Sequence, residues 1–312
     1  MTNSIRQAFG ETIYNLAKTN KNIYVVDADL KSSLSLNKFA QKYPDRFVEC
    51  GVAENNAAAI AAGLAKTGKT VFVTSFACFS PSINWNTIKQ SIAYNHSNVK
   101  IIGSHAGLLS TDLGATHQML EDIAIMSTIP NMEVFSPIDS IETEKIITTI
   151  SRSLTPAYIR LVRASTPQIF DSKLGFTIGK SHLLKTGKDI TVIGHGPILN
   201  QAFEAQAKLI LELGKKAPSL EIINCSSIKP LDINTIIKSI KKTKHLICIE
   251  DHQKIGGLGQ IAASALLEKG FAPKFIHLAV DNHFGQSGHD YQKLYDYYKI
   301  GINNLITAIK KI

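Results

Sequence analysis

Residues 51–80 read GVAENNAAAIAAGLAKTGKTVFVTSFACFS and contain the unit from which the rest of the chain is built. An alanine-rich helix pattern runs from Glu54 to Lys66, and the apolar, β-branched run TVFVTSFA follows it at 70–77. A strand this apolar is buried on both faces, which is typical of a parallel sheet covered by helices. The stretch therefore predicts one helix–strand unit of an α/β fold.

The same alternation of strand and helix patterns extends over the whole chain. Before a segment rich in proline and glycine, strand patterns lie at 22–30, 99–106, 132–137 and 157–164, with helical patterns at 83–94, 119–126 and 140–150. After it, strand patterns lie at 189–196, 220–227, 245–251 and 274–280, with helices predicted at 199–213, after Asp232 and after Gly257.

This organisation predicts two doubly wound α/β domains, with a parallel sheet in the first and a smaller mixed sheet in the second. We place the first domain at 1–170, the linker at 171–187 and the second domain at 188–312.

The composition agrees with a packed enzyme and excludes several other classes of protein. The 312 residues are 44% hydrophobic without low-complexity tracts, which excludes disordered, collagen-like and disulfide-stapled chains. The net charge of +9 comes from 34 Lys and Arg against 25 Asp and Glu, but the basic residues are scattered, so we predict no nucleic-acid partner. Four cysteines without C-x-x-C spacing indicate a reducing compartment. Because no leader and no apolar stretch of about 18 residues is found, we predict a cytoplasmic protein without a membrane partner.

Ligands of such sheets bind outside the carboxyl ends of the strands, in the loops that follow them. Glu54, in the loop segment 50–55, is the first candidate for a catalytic residue. It begins a helix that is apolar on almost every side, so its carboxyl group is predicted to be buried. A buried carboxylate without a nearby cation must be protonated or hydrogen-bonded, which suits a proton-handling group. The alternative is an acidic residue that only complements the helix dipole.

Aromatic and imidazole groups follow two neighbouring strands. Phe76 and Phe79 stand three residues apart, and taken alone they would be core aromatics. The segment GSHAGLLSTDLGATHQ, residues 103–118 and here called the histidine loop, holds His105, His117 and three glycines. Irregular polar loops on a rigid scaffold often carry function, although each histidine could also be structural. The residues alone predict a two-domain α/β enzyme with a buried acid and a histidine-bearing loop.

Taken in order, these segments resemble the pyrimidine-binding and C-terminal domains of transketolase, as found in the C-terminal subunit of split transketolases. The matching segments are AFGETI, DADLKSS, GVAENNAAAIAAGLA, SFACF, SHAGL, GATHQMLEDIAIM, PNMEVFSP, YIRLVRAS, IEDHQKIGGLGQ and DNHFGQSG. The resemblance implies a transferase of carbohydrate metabolism that uses thiamine diphosphate to move a two-carbon ketol unit between sugar phosphates.

The resemblance also implies which residues bind the cofactor. Glu54 matches the catalytic glutamate that lies against the ring nitrogen N1′ of the cofactor's aminopyrimidine. Phe79 matches the aromatic residue that stacks on this ring, and Phe76 lines the same pocket.

For the substrate, the resemblance implies one catalytic residue and a set of binding residues. His117 matches a histidine near the donor's C1 hydroxyl and carbonyl, with both a catalytic and a binding role. The other implied substrate ligands are Ser33, His105 and Arg163. Arginine holds an oxyanion through two parallel hydrogen bonds, which suits a sugar phosphate.

Leu113 departs from the family pattern. The family has an aspartate here that contacts a donor hydroxyl, whereas this chain has an apolar side chain, with Asp112 one position earlier. The ordinary ketose donor is therefore in question.

A missing motif predicts a partner. Families of this kind hold the diphosphate and Mg²⁺ through G-D-G, which does not occur in this chain, and we assign it no metal ligand. The resemblance implies a separate N-terminal subunit that supplies these ligands, activity only with that subunit, and self-association into an α2β2 heterotetramer.

Three alternatives stay open. A 1-deoxyxylulose-5-phosphate synthase-like enzyme shares this architecture but has an arginine where His105 stands, and the beta subunit of a 2-oxo acid dehydrogenase is more remote. The third is a non-catalytic partner of another thiamine enzyme.

Overall fold

The computed structural model describes residues 2–312. Its strands are β1 Thr2–Asn3, β2 Ile23–Asp27, β3 Phe47–Glu49, β4 Thr70–Phe76, β5 Val99–Ser104, β6 Glu133–Phe135, β7 Ala157–Arg160, β8 Thr166–Pro167, β9 His182–Lys185, β10 Ile190–Gly194, β11 Leu220–Asn224, β12 Ser227–Lys229, β13 His245–Gln253 and β14 Lys274–Val280.

The α-helices are α1 Ile5–Thr19, α2 Asn37–Lys42, α3 Glu54–Lys66, α4 Trp85–Thr87, α5 Asp122–Ser127, α6 Ser140–Ile150, α7 Asn200–Leu213, α8 Ile233–Thr243, α9 Leu258–Glu268, α10 Tyr291–Tyr297 and α11 Ile302–Lys311. Within residues 2–312, no helix is both long enough and apolar enough to cross a bilayer.

Two sheets form the centre of the molecule. The seven-stranded sheet has the order β12-β6-β7-β5-β4-β2-β3, in which every neighbouring pair except β12 and β6 is parallel. The five-stranded sheet has the order β14-β13-β10-β11-β9, with β9 antiparallel to β11. The predicted fold class of two α/β domains, the second with a mixed sheet, is confirmed.

The two sheets are not fully separate in sequence. The antiparallel edge strand of the first sheet, β12, comes from residues 227–229, which lie in the second half of the chain. Ser136 N also donates a hydrogen bond to Ser226 O across the same boundary. The first sheet is therefore parallel only in the strands from its own half of the chain.

The predicted linker at 171–187 contains one strand. Residues 182–185 form β9 and pair with β11, although Gly175, Gly179 and Gly187 are typical of an interdomain linker. The domain limits at 170 and 188 stay a prediction.

The predicted helices at 54–66 and 140–150 coincide with α3 and α6. The helix predicted from Met119 begins only at Asp122, because Met119 first forms a parallel bridge with Ala106. This bridge ties the two ends of the histidine loop together.

The parallel strands β2, β4, β5 and β7 end at one edge of the first sheet. The loops that follow these strands therefore lie side by side, as expected for an open parallel sheet. Four candidate positions from separate parts of the sequence lie in these loops or at these strand ends: Ser33, Phe76, His105 and Arg163.

Candidate active site

The carboxyl group of Glu54 forms one wall of the site. Glu54 is the first residue of α3 and is 7% exposed. Ser75 Oγ donates a hydrogen bond to Glu54 Oε1 at 3.3 Å, and Asn84 Nδ2 donates to the Glu54 backbone oxygen at 3.0 Å. Among the described residues, no cation pairs with this carboxyl and Oε2 accepts no hydrogen bond. A buried carboxyl with an open oxygen is suited to share a proton with a bound ligand.

Next to this wall is a cluster of aromatic and imidazole rings. The rings of Phe76 and Phe79 stack with centroids 6.1 Å apart and planes 18° apart. His105 lies 3.9 Å from the Phe76 centroid, and His117 stands edge-on to Phe79 at 5.4 Å. Both phenylalanines are half-buried, so each leaves part of a ring open to a ligand. Ser75, which donates a hydrogen bond to Glu54, directly precedes Phe76 and so connects the carboxyl group to the ring cluster.

His105 is electrically neutral at physiological pH. It is buried, and its Nδ1 lies 2.9 Å from Ser104 Oγ. Burial, helped by the positive charges of Arg6 and Arg163, lowers the pKa of His105 to about 3. The ring therefore acts as a hydrogen-bonding group and not as a cation.

Two arginines, Arg6 and Arg163, lie close to each other and to His105. Arg6 Nη1 donates to Ser33 O at 2.6 Å, and its Nη2 donates to Arg163 O at 3.1 Å. Burial and the charge of Arg163 lower the pKa of Arg6, and its buried Nε has no hydrogen-bond partner in the described chain. Because Asp112 pairs with only one of the two guanidinium groups, the arrangement keeps an excess of positive charge that suits an anion.

Arg6 was missed by the sequence analysis. Ser4, which caps α1, and the apolar spacing of Ile5, Phe9 and Ile13 signal a helix that we did not predict. No local signal in the sequence indicates that the first turn of α1 contacts Arg163, which is more than 150 positions away.

Asp112 is the carboxylate that pairs with Arg163. Leu113, the next residue, ends the 3₁₀ segment 108–113 and is half-buried. With its side chain engaged by Arg163, Asp112 does not replace the carboxylate that is missing at position 113.

A second group of polar side chains lies in the other domain. Cys248, Glu250 and His277 are the one set of three metal-type ligands found close together in residues 2–312. Glu250 accepts hydrogen bonds from Leu258 N at 2.8 Å, Gly259 N at 2.9 Å and His277 Nε2 at 2.5 Å. Its oxygens are thus already engaged, and Glu250 acts as a buried cap for α9.

Comparison with known proteins identifies the family of the chain. Residues 2–168 match the family model described as transketolase, pyrimidine binding domain, and residues 179–304 match the one described as transketolase, C-terminal domain. The chain belongs to the transketolase family. The resemblance inferred from the sequence is confirmed, and the predicted site residues all fall within the first of the two transketolase domains.

Individual relatives extend over nearly the whole chain. A Methanocaldococcus jannaschii protein named provisionally as a transketolase C-terminal section is 40% identical over 91% of this chain and 88% of its own. One subunit of the apulose-4-phosphate transketolase of Phocaeicola vulgatus is 36% identical over 95% of this chain and 94% of its own. A solved structure described as a split gene transketolase, inactive beta4 tetramer, has a TM-score of 0.90 and 34% identity, covering 99% of this chain and 97% of that one. These relatives support a transferase role.

Proposed function

We propose that this protein is the C-terminal subunit of a thiamine diphosphate-dependent transketolase, which transfers a two-carbon ketol unit between sugar phosphates together with a separate N-terminal subunit. The observation that carries the proposal is the buried carboxyl of Glu54 beside the stacked rings of Phe76 and Phe79. This carboxyl has an open oxygen and no cationic partner within residues 2–312. Membership of the transketolase family supports it.

The donor set fits the pyrimidine half of thiamine diphosphate. An aminopyrimidine offers a flat face and a basic ring nitrogen, which match the half-open phenylalanine rings and the uncommitted oxygen of Glu54. When bound, the cofactor supplies a carbanion that adds to a ketose carbonyl. Glu54 would hold a proton at Oε2 against the ring nitrogen, Phe79 would cover the face of the ring, and Phe76 would close the pocket behind it.

The charged half of the cofactor has no comparable site in this chain. The G-D-G motif is absent from the sequence, and Asp112 is already paired with Arg163. We therefore propose that the N-terminal subunit supplies the ligands of the diphosphate and Mg²⁺. The relative described as inactive in its beta4 tetramer agrees with activity that depends on a partner. An α2β2 assembly follows from the same proposal.

Arg6 and Arg163 are proposed to hold the phosphate of the sugar, which would compete with Asp112 for Arg163. Arg163 and Ser33 would take the phosphate together with the neutral His105, and Arg6 adds a second guanidinium. His117 would lie near the reacting carbons, because its ring stands against Phe79 on the cofactor side. We also propose a cytoplasmic location, where thiols stay reduced; all four cysteines are free.

Arg163→Ala is expected to raise the KM for phosphorylated sugars about 10- to 100-fold. A hydrogen bond to a charged group contributes roughly 1.5–3 kcal/mol, and the unphosphorylated analogues do not form it. Steady-state kinetics of the assembled enzyme with both substrate types measures the difference. Arg152→Ala is the matched control, because Arg152 is exposed and makes no ion pair in the described chain. Equal losses for phosphorylated and unphosphorylated sugars would make Arg163 structural.

Leu113→Asp is expected to increase the preference for ordinary ketose phosphates such as xylulose 5-phosphate. An apolar side chain leaves a donor hydroxyl unpaired in a desolvated pocket, which costs about 1–3 kcal/mol. We therefore expect the natural enzyme to prefer a donor that is deoxy or otherwise modified at that hydroxyl. The ratio of kcat/KM between the two donor types measures this, with Leu113→Ala as the control. Ordinary transketolase efficiency of the natural enzyme with xylulose 5-phosphate would contradict the idea.

The proposed function itself is tested by reconstitution. The chain is combined with an N-terminal subunit carrying G-D-G, thiamine diphosphate and Mg²⁺, and ketol transfer is followed from a panel of ketose phosphates to an aldose phosphate. Transfer that requires both chains supports the proposal. Use of pyruvate instead would favour the synthase-like alternative, and the absence of transfer from every donor would favour a non-catalytic partner.

A further inference from the structure

Within residues 2–312, hydrogen bonds join the second domain to the histidine loop at three points. Leu108 N donates to both carboxylate oxygens of Asp251, each at 3.0 Å, and Gly288 N donates to Thr111 O at 3.1 Å. The third contact is made by Gln118, whose Nε2 donates to Gln286 O at 3.0 Å. Each of these bonds joins the first domain to the second, so the shape of the loop depends on both.

Gln118 is central to this arrangement. Its side chain is buried, and the same Nε2 also donates to Thr111 O at 2.9 Å. One carboxamide therefore holds two points of the histidine loop and one point of the second domain. The preceding residue, His117, places its ring against Phe79 in the active site. Because His117 is the adjacent residue in the chain, we expect a displacement of Gln118 to move the His117 ring.

Gln118 fills the space that a side chain at Gly285 would need. A Cβ added at Gly285 would lie 2.1 Å from Gln118 Oε1 and 2.9 Å from Gln118 Cβ. The backbone of Gly285 is outside the left-handed region, so packing and not conformation requires a glycine. The three nearest atoms to this Cβ all belong to Gln118, so Gly285→Ala acts on that residue specifically.

We propose that Gln118 is a positioning residue, and that the segment 284–288 of the second domain holds it so that His117 is fixed in the active site. The proposal rests on the proposed function for the role of His117. It gives the second domain a part in catalysis, although the four rings of the aromatic cluster all come from the first domain. Positioning to within about 1 Å has large kinetic effects, since a misplacement of that size can cost about 10²-fold in rate.

A double-mutant cycle tests the proposal. Gly285→Ala, Gln118→Ala and the combined variant are prepared, with Gly175→Ala as the matched control, because a Cβ at Gly175 meets no atom within 4 Å. Hydrogen–deuterium exchange of residues 107–118 is measured on the chain without partner or cofactor. The kcat and KM of the assembled enzyme are measured separately.

We expect Gly285→Ala to accelerate exchange in 107–118 and to lower kcat about 10- to 100-fold, with much smaller changes in the KM for sugar phosphates. In the Gln118→Ala background the contacts with Oε1 and Cδ are gone and only the 2.9 Å contact with Cβ is left, so the alanine at 285 should add much less than it does in the natural chain. The midpoint of thermal unfolding should stay close to that of Gly175→Ala. Additive effects of the two substitutions, or unchanged exchange in Gly285→Ala, would overturn the proposal.

A replacement variant and a readout that does not depend on activity keep the experiment decisive. If Gly285→Ala does not fold, Gln118→Glu replaces it, because it keeps the side-chain size and removes both donated hydrogen bonds. Unchanged exchange in 107–118 of Gln118→Glu would then overturn the proposal. If the natural assembled enzyme transfers no ketol group, the proposed function fails, and the exchange cycle by itself still decides whether segment 284–288 holds the loop.

Discussion

Glu54→Gln is expected to lower the kcat of the enzyme assembled with its N-terminal subunit by about 10²- to 10⁴-fold, the usual contribution of a positioned acid or base. The substitution is nearly isosteric and keeps the acceptor for Ser75 Oγ, so the fold should be retained. It removes the group that holds a proton at Oε2, which no other described side chain near this oxygen replaces. Single-turnover and steady-state kinetics measure the loss.

The control for this prediction is Glu11→Gln, because Glu11 is exposed on α1, away from the active site. Thermal unfolding of both variants shows whether the helix is affected. The alternative role of Glu54, an acidic residue at the start of α3, predicts a small loss of stability and near-normal turnover. That result would assign the carboxyl to the helix and remove the main support for the proposed function.

The isolated chain is expected to bind thiamine diphosphate at least about 10²-fold more weakly than the assembled enzyme. Hydrogen bonds to charged groups contribute roughly 1.5–3 kcal/mol each, and the diphosphate with its Mg²⁺ requires several of them. This chain contributes the pyrimidine pocket of Glu54, Phe76 and Phe79, but its sequence has no G-D-G motif to bind the metal and the diphosphate. Titration calorimetry with and without the partner and Mg²⁺ measures the difference.

Thiamine without its diphosphate is the control ligand for this experiment. It reports on the pyrimidine pocket, so its affinity should change much less when the N-terminal subunit is added. Tight, Mg²⁺-dependent binding of thiamine diphosphate to the isolated chain would instead show that this polypeptide holds the whole cofactor, and the proposed division into two subunits would be wrong.

Helix positions were predictable where the pattern was strong and local. The alanine-rich run of α3 and the segment of α6 match the predicted limits, because an apolar stripe at helical spacing is a property of adjacent residues. The prediction failed for α1, whose polar face weakens the pattern, and for β9, which has glycines on both sides. It also failed at Met119, where the bridge to Ala106 delays the next helix.

The candidate site was predictable as a set of residues only because the loops resemble a known family. Glu54 was also indicated by its own surroundings, since an acidic residue at the start of an apolar helix is expected to be buried, and it is. Phe76 and Phe79, by contrast, would be core aromatics on residue type alone. Their half-open rings became evident only in the folded chain.

The sequence by itself determined the two-domain α/β architecture, the family and the departure at Leu113, because these depend on periodicity and on motifs of adjacent residues. Tertiary structure alone decided that Arg6 lies against Arg163, that Asp112 pairs with Arg163, and that Gln118 donates a hydrogen bond to Gln286. The partners in these contacts are between about 50 and 170 positions apart in the chain. The order of strands in the sheets and the packing of one domain on the other bring them together, and no local pattern records that order.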